Sequence, residues 1–189
     1  AYLVTHPVPI VIGNGNKFYL TDHHHLARAL WDVAQGKNEA GIDAGNARVA
    51  VEVLYNWSVL KDYDFWKAMH DNAWVYLFDH TGGGPVRPDA LPKHVKDLHN
   101  DPYRGLAWYV RTHFGYDKMA ADFAEFQWAQ FFRMRMILDN RVLRNQIDDT
   151  DILISRMSDE DRQAIIAEAV HLASSPEAAG LPGYVGRGS

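Results

Sequence analysis

The chain has 189 residues, 47% of them hydrophobic, with 24 acidic against 19 basic side chains, for a formal charge of −5. That length and apolar content support one good core, and the acidic balance argues against a broad basic face for duplex DNA. The absence of cysteine removes disulfides, thiolate nucleophiles, iron–sulfur ligation and Cys-based zinc sites.

"AYLVTHPVPIVIG" does not read as a signal peptide, and no apolar run approaches the ~18 residues of a membrane span. A soluble, cytoplasmic protein is the expectation. Two β-rich runs, Val8 to Ile12 and Phe18 to Leu20, flank Gly13-Asn14-Gly15-Asn16, whose Asn-Gly pair tolerates positive φ. This is a hairpin signal.

From Asp22 the period changes. Leu26, Ala29, Leu30 and Val33 repeat with helical spacing, with Thr21 or Asp22 as the natural N-cap and Gly36 as the stop. "GKNEAGIDAGNA" reads as a loop, and Arg48 to Leu54 as a third strand. A short helix is expected from Asp62 to Asp64 onward, then a strand from Trp74 to Phe78, then a long turn, "HTGGGPVRPDALP".

The remainder reads as helical, over Pro92 to Leu98, Pro102 to Thr112, Phe123 to Leu138, a piece near Ile147 to Ile154, and Asp159 to Ala173. Ser158 and Asp161 resemble a capping box with Asp in place of Glu. The tail "GLPGYVGRGS" is of low complexity. Strands first and helices later predict a small α/β or α+β layer over residues 1–80 and a mostly helical extension over 81–189 packed on the same core as one domain.

The chemistry concentrates in "YLTDHHHLARAL", Tyr19 to Leu30. Successive residues on a helix point about 100° apart, so His23, His24 and His25 cannot all face one ion. No metal site is therefore assigned, although Asp22 with a remote His70, His80, His94 or His99 keeps a mixed site open. A strand that ends at a helix start instead presents free amides and the positive end of the helix dipole to an anion. Asp22, His24 and His25 are the candidate catalytic groups, and Thr21, His23, Arg28 and Arg104 the candidate ligand-binding ones. The ordinary alternative is structural: an imidazole on a neighbouring carbonyl and Asp22 as a cap.

Other polar residues carry weaker signals. In "NDPYRGLAW", Asp101 is a cap and Arg104 is an ion-pair partner more readily than an anion clamp. Phe123, Phe126, Trp128, Phe131 and Phe132 form a wide aromatic face expected in the core. Glu125 on that helix is exposed or, turned inward, a base or a histidine partner. Glu52 alternates with Val51 and Val53 and is expected to face solvent.

"VPIVIGNGNKFYLTDHHHLARAL" resembles the ParB/sulfiredoxin superfamily, in which two strands lead to an Asp-Gly-His-His-Arg box that opens a helix. "TDHHHLARAL", "VEVL", "FW", "DPYRGLAW", "FAEFQWAQFFR" and "AAGLPGY" resemble its ParB-like nuclease branch over nearly the whole chain. The resemblance implies a compact fold that handles phosphates at this helix start: ParB proteins bind CTP and DNA, sulfiredoxins use ATP, and a free serine kinase uses ADP.

Against the kinase-type box, Asp22 falls on Asp, His23 on Gly, His24 and His25 on the two His, and Leu26 on Arg. The sulfiredoxin cysteine has no counterpart here. The resulting expectation is an anion pocket for a nucleotide or other phosphorylated small molecule, with phosphoryl-transfer or phosphodiester chemistry. A metal-assisted nuclease and a non-enzymatic interaction module are the rivals. A nucleotide or a divalent metal are the open cofactor classes, a homo-oligomer stays open, and duplex DNA and membranes are not expected partners.

Overall fold

The computed structural model describes residues 2–35, 48–139 and 154–186. Three strands and six α-helices occur among them, and the class is α+β as the order of elements requires. None of these helices is long and apolar enough to cross a membrane. The chain forms two compact units, Ala1–Leu77 with Pro85–Leu98, and Phe78–Gly84 with His99–Ser189.

The first unit opens with a short helix, α1 (Tyr2–Thr5), and the hairpin β1 (Val8–Gly13) and β2 (Lys17–Leu20). The turn Asn14–Asn16 places Gly15 at φ 69° and Asn16 at φ 57°, the conformations for which Gly and Asn are suited. β1 lies in the middle of a mixed sheet, antiparallel to β2 and parallel to β3 (Val51–Asn56), in the order β2-β1-β3. Central position explains burial: Val8, Ile10 and Val11 are enclosed, whereas Val51, Val53 and Tyr55 on the edge strand are half-exposed.

Ile10 pairs with Val53 and Val11 with Tyr55, so Leu54 is the extra residue of a bulge. α2 (His24–Ala34) follows β2, and α3 (Asp62–Asp71) lays Phe65 and Met69 against Val11. Asp62 and Asp64 in the first turn of α3 favour its start through the helix dipole. At Gly13 a β-carbon would come within 2.6 Å of the Tyr19 ring and 2.7 Å of Phe65, so glycine permits the close approach of α3 to the hairpin.

Three expectations for this part of the chain are corrected. β3 begins at Val51 rather than Arg48 and runs on to Asn56. Residues 74–79 form no strand, because Trp74 turns into an aromatic cluster with Tyr55 and Trp57, at centroid distances of 5.6 Å to each. Pro92 to Leu98 contains only a 3-10 turn, Val95–Asp97, between extended residues at His94 and Leu98. The loop expected over residues 36–47, with the stop at Gly36, lies outside the described residues, as does most of the piece near Ile147 to Ile154.

The second unit is built on α4 (Pro102–Thr112), α5 (Ala124–Asp139) and α6 (Asp159–Ala173). Leu106, Ala107 and Val110 of α4, Trp128, Phe132 and Met136 of α5, and Ile165, Ile166, Ala169 and Ala173 of α6 share one core. The aromatic face of α5 therefore lies inside, with Trp128 and Phe132 fully enclosed. Ser158 caps α6 by accepting from the Asp161 amide at 3.1 Å and donates its hydroxyl to the Asp161 carboxylate at 2.7 Å.

The tail is tied down. Trp128 stacks on Tyr116 with centroids 4.3 Å apart and donates its indole N–H to the Pro182 carbonyl at 2.7 Å. Tyr116 pairs with Tyr184 in an isolated antiparallel bridge, and the Asp117 amide donates to the Gly183 carbonyl at 2.8 Å.

Candidate functional site

The stretch 21–25 leaves β2 and enters α2. Thr21 continues the pairing of the hairpin, its amide and hydroxyl donating to the Pro9 carbonyl at 3.1 and 3.3 Å. Asp22 is exposed, and its carboxylate accepts the His23 amide at 2.7 Å. His23 adopts the left-handed conformation, φ 58° and ψ 27°, and occupies the N-cap position of α2. The helix thus begins at His24, with neither Thr21 nor Asp22 at its cap. The reason is local: a left-handed residue between Asp22 and the first turn directs the carboxylate onto the amide of residue 23.

No side chain among the described residues caps α2, and its first carbonyl-to-amide bond joins His23 to Ala27 at 3.0 Å. The amides of His24, His25 and Leu26 precede that bond and have no acceptor among the described residues, which makes them the open donors of the first turn. The left-handed geometry also accounts for the glycine that the resembling box carries where His23 stands, since glycine adopts it without steric cost.

The three imidazoles have different surroundings. His23 is partly buried, with Nδ1 at 2.9 Å from the Pro7 carbonyl. His24 is partly buried, and burial pushes its pKa below the ordinary value of 6.5 against the opposing attraction of Asp22. His25 is exposed.

Arg28 is engaged within the first unit. Its Nε donates to both oxygens of Asp32, at 3.1 and 3.0 Å, and its Nη1 donates to the carbonyls of Lys96, at 3.2 Å, and Leu98. It therefore ties the segment around Val95–Asp97 to α2. The Asp32 partner lies at the i,i+4 spacing that a sequence displays, whereas the two carbonyls were not legible, since a backbone acceptor has no signature in sequence.

Arg104 lies in the second unit, where it pairs with Glu125 and sits 5.1 Å from the centroid of the Phe126 ring. Glu125 takes a second guanidinium, Arg111, at 3.0 Å, so it faces inward as a charge partner of two arginines. The Nε atoms of Arg104 and Arg111 are buried and have no acceptor among the described residues. Burial, helped by the Glu125 charge, pushes the nearby Tyr116 phenol well above its usual range, and its hydroxyl donates to the Ala107 carbonyl at 2.8 Å.

The remaining candidates are scattered. Glu52 is exposed on the edge strand, and His70 is exposed beside Asp71 at 3.7 Å. His80 and His99 stack with centroids 4.4 Å apart and planes 18° from parallel, a geometry in which the in-plane lone pairs do not converge on one ion. Next to His80, Asp79 accepts from the Thr81 hydroxyl at 2.6 Å, the Thr81 amide at 2.8 Å and the Gly83 amide at 2.9 Å. Chiefly the Thr81 hydroxyl holds the Asp79 carboxyl below its usual range. Among the described residues, no group of three or more His, Cys, Asp or Glu side chains is arranged to hold a metal ion.

Residues 1–134 match the family described as "Putative ParB-like nuclease". The crystal structure of protein Atu1540 from Agrobacterium tumefaciens is similar, with 34% sequence identity and a TM-score of 0.69, over 95% of this chain and 77% of that one. No curated protein matches the chain.

Proposed function

This chain belongs to the ParB-like nuclease family, and from that premise we propose that the turn Thr21 to His25 receives the phosphate group of a nucleotide or another phosphorylated small molecule, for phosphodiester chemistry. The observation that carries the reading is the first turn of α2, without a side-chain cap among the described residues and with the partly buried His24 imidazole in it. Open amides and the helix dipole favour an anion there. His24, neutral near pH 7, is suited to accept a proton from an attacking water, which is what a general base must do.

Asp22 orders the turn through the His23 amide, and its charge opposes part of the lowering that burial imposes on His24. Arg28 holds the adjoining segment by its Nε and Nη1. Arg104 is engaged with Glu125 and does not enter this reading. Metal-assisted hydrolysis would draw on Asp22 and a histidine with ligands from elsewhere in the chain, a larger demand than the phosphate site makes.

The test is thermal unfolding of the full chain, stripped with chelator, in the presence of inorganic phosphate, nucleotides and divalent ions, repeated with His24→Ala. A ligand at 100 times its dissociation constant adds about 2.7 kcal/mol of stability. The expected result is a shift with a phosphate compound that His24→Ala weakens. A shift with divalent ions alone would favour the metal-assisted route, and no shift with any phosphate compound would overturn the proposal.

A further inference from the structure

Asparagine is a thermally labile side chain, and most so before glycine. The backbone nitrogen of the next residue can attack its amide carbon, and glycine puts no β-carbon in the way. Of the asparagines in the chain, Asn14 alone precedes a glycine. It lies in the turn Asn14–Asn16 that closes β1 onto β2, and both it and Gly15 are exposed. A β-carbon on Gly15 would meet nothing within 4 Å, so the space beside that residue is open to the Asn14 side chain and to water.

One contact holds the Asn14 side chain elsewhere. Its Nδ2 donates to Asp62 Oδ1 at 3.1 Å, across 48 residues of sequence. A carboxylate only accepts, so the amide nitrogen is the atom that faces it, and that nitrogen is the leaving group of the attack. Before a ring can close, the side-chain carbonyl carbon has to swing over the Gly15 nitrogen, and the bond to Asp62 has to break. Asp62 is itself well placed to resist: it stands in the first turn of α3, where the helix dipole favours its charge. α3 packs so closely on the hairpin that a β-carbon on Gly13 would lie 2.7 Å from Phe65.

We propose that Asn14 is a self-modification site, converting to aspartate or isoaspartate through a cyclic imide, and that its bond to Asp62 restrains the conversion. The Gly15 nitrogen bonds to the Asn14 side-chain carbonyl carbon, the carbon–Nδ2 bond breaks, and the Gly15 amide hydrogen leaves with Nδ2 as ammonia. Water then adds to one of the two imide carbonyls and the carbon–nitrogen bond there opens. Opening at the side-chain carbonyl gives aspartate, and opening at the backbone carbonyl gives isoaspartate.

Either product adds one negative charge to the formal −5 and sets a carboxylate where Asp62 now meets a donor. Attraction becomes like-charge repulsion. Isoaspartate also lengthens the backbone by a methylene inside a three-residue turn that fixes the pairing of Gly13 with Lys17 and of Ile12 with Phe18. The modification therefore loosens the hairpin from α3.

The experiment ages the full chain in mildly alkaline buffer, with and without urea, and follows every asparagine by peptide mapping and mass spectrometry. Asn14 is expected to convert ahead of the others, and faster in urea than in the folded chain. Asp62→Ala removes the acceptor and is expected to raise the folded-state rate about 2- to 10-fold, as the loss of one hydrogen bond allows. Asn14→Asp alone is expected to lower the thermal midpoint by about 2–4 °C, and Asp62→Asn added to it to restore most of that shift, because donor and acceptor then trade places. If Asp62→Ala reaches the urea rate because α3 has come loose, the swapped pair decides.

No conversion at Asn14 in the folded chain, or earlier conversion at another asparagine, overturns the site. An Asp62→Ala rate equal to or below that of the unaltered chain overturns the restraint, as does an Asn14→Asp chain that loses no stability or is not rescued by Asp62→Asn.

Discussion

Among the helices of this protein that begin after an aspartate, α4 and α2 use the carboxylate in opposite ways. At α4, Asp101 accepts the amides of Tyr103 and Arg104 at 3.0 and 3.1 Å, and Pro102 has no amide to satisfy. Arg133 then neutralises the carboxylate at 2.7 Å, with the two side chains only 11% and 16% exposed. At α2, Asp22 satisfies the amide of the very next residue, and the first turn has no side-chain cap among the described residues. One start is complete in itself; the other is left with donors. What separates them is the following residue: proline holds the chain in the path of the helix, whereas left-handed His23 turns the carboxylate away.

The largest expected effect comes from breaking the complete start. Asp101→Ala removes a cap and leaves a mostly buried guanidinium without its carboxylate, for a loss of about 3 kcal/mol in urea unfolding. A loss below about 1 kcal/mol would mean that Arg133 is satisfied by the His80 carbonyl, to which it already donates at 3.2 Å. Asp22→Ala removes a single exposed bond and is expected to cost no more than about 1 kcal/mol in the same measurement. A larger cost would place Asp22 alongside Asp101 as a structural cap and end the contrast.

The smallest effect is a pH dependence. Burial lowers the His24 pKa in the folded chain, so below the unfolded value of about 6.5 the unfolded chain binds more protons and stability falls with decreasing pH. The contribution is intact above that pH and is lost on the acid side. Thermal unfolding between pH 7.5 and 5 should therefore show a steeper decline in the unaltered chain than in His24→Gln; equal slopes would place His24 in water-like surroundings.

Local signals were legible. Asp101-Pro102 and Ser158-x-x-Asp161 fixed the starts of α4 and α6 because a cap and its targets lie within three residues, and Asn14-Gly15 fixed the hairpin for the same reason. The box at Thr21 to Leu30 carried the family, which the match over residues 1–134 bears out. Apolar runs without a local signal were misread: Trp74 to Phe78 has strand composition, but the place of Trp74 is set by Tyr55 and Trp57, distant in sequence. At the candidate site, the identities of the residues were visible and their tethers were not. His23 Nδ1 and Arg28 Nη1 meet the backbone carbonyls of Pro7, Lys96 and Leu98, and every residue type has one.

The Tyr116–Tyr184 bridge bears on where this chain can be cut. Pro182 closes over the indole of Trp128, and a β-carbon on Gly183 would lie 2.0 Å from the Asp117 carbonyl oxygen, so the last described residues pass through a gap that only a bare backbone fits. α6 and this strap supply one wall of the core around α4 and α5. The family match ends at residue 134, within α5. A fragment ending there would uncover Trp128 and Phe132 and be insoluble or unfolded in its second half, so the stretch recognised by descent is shorter than the stretch that folding requires.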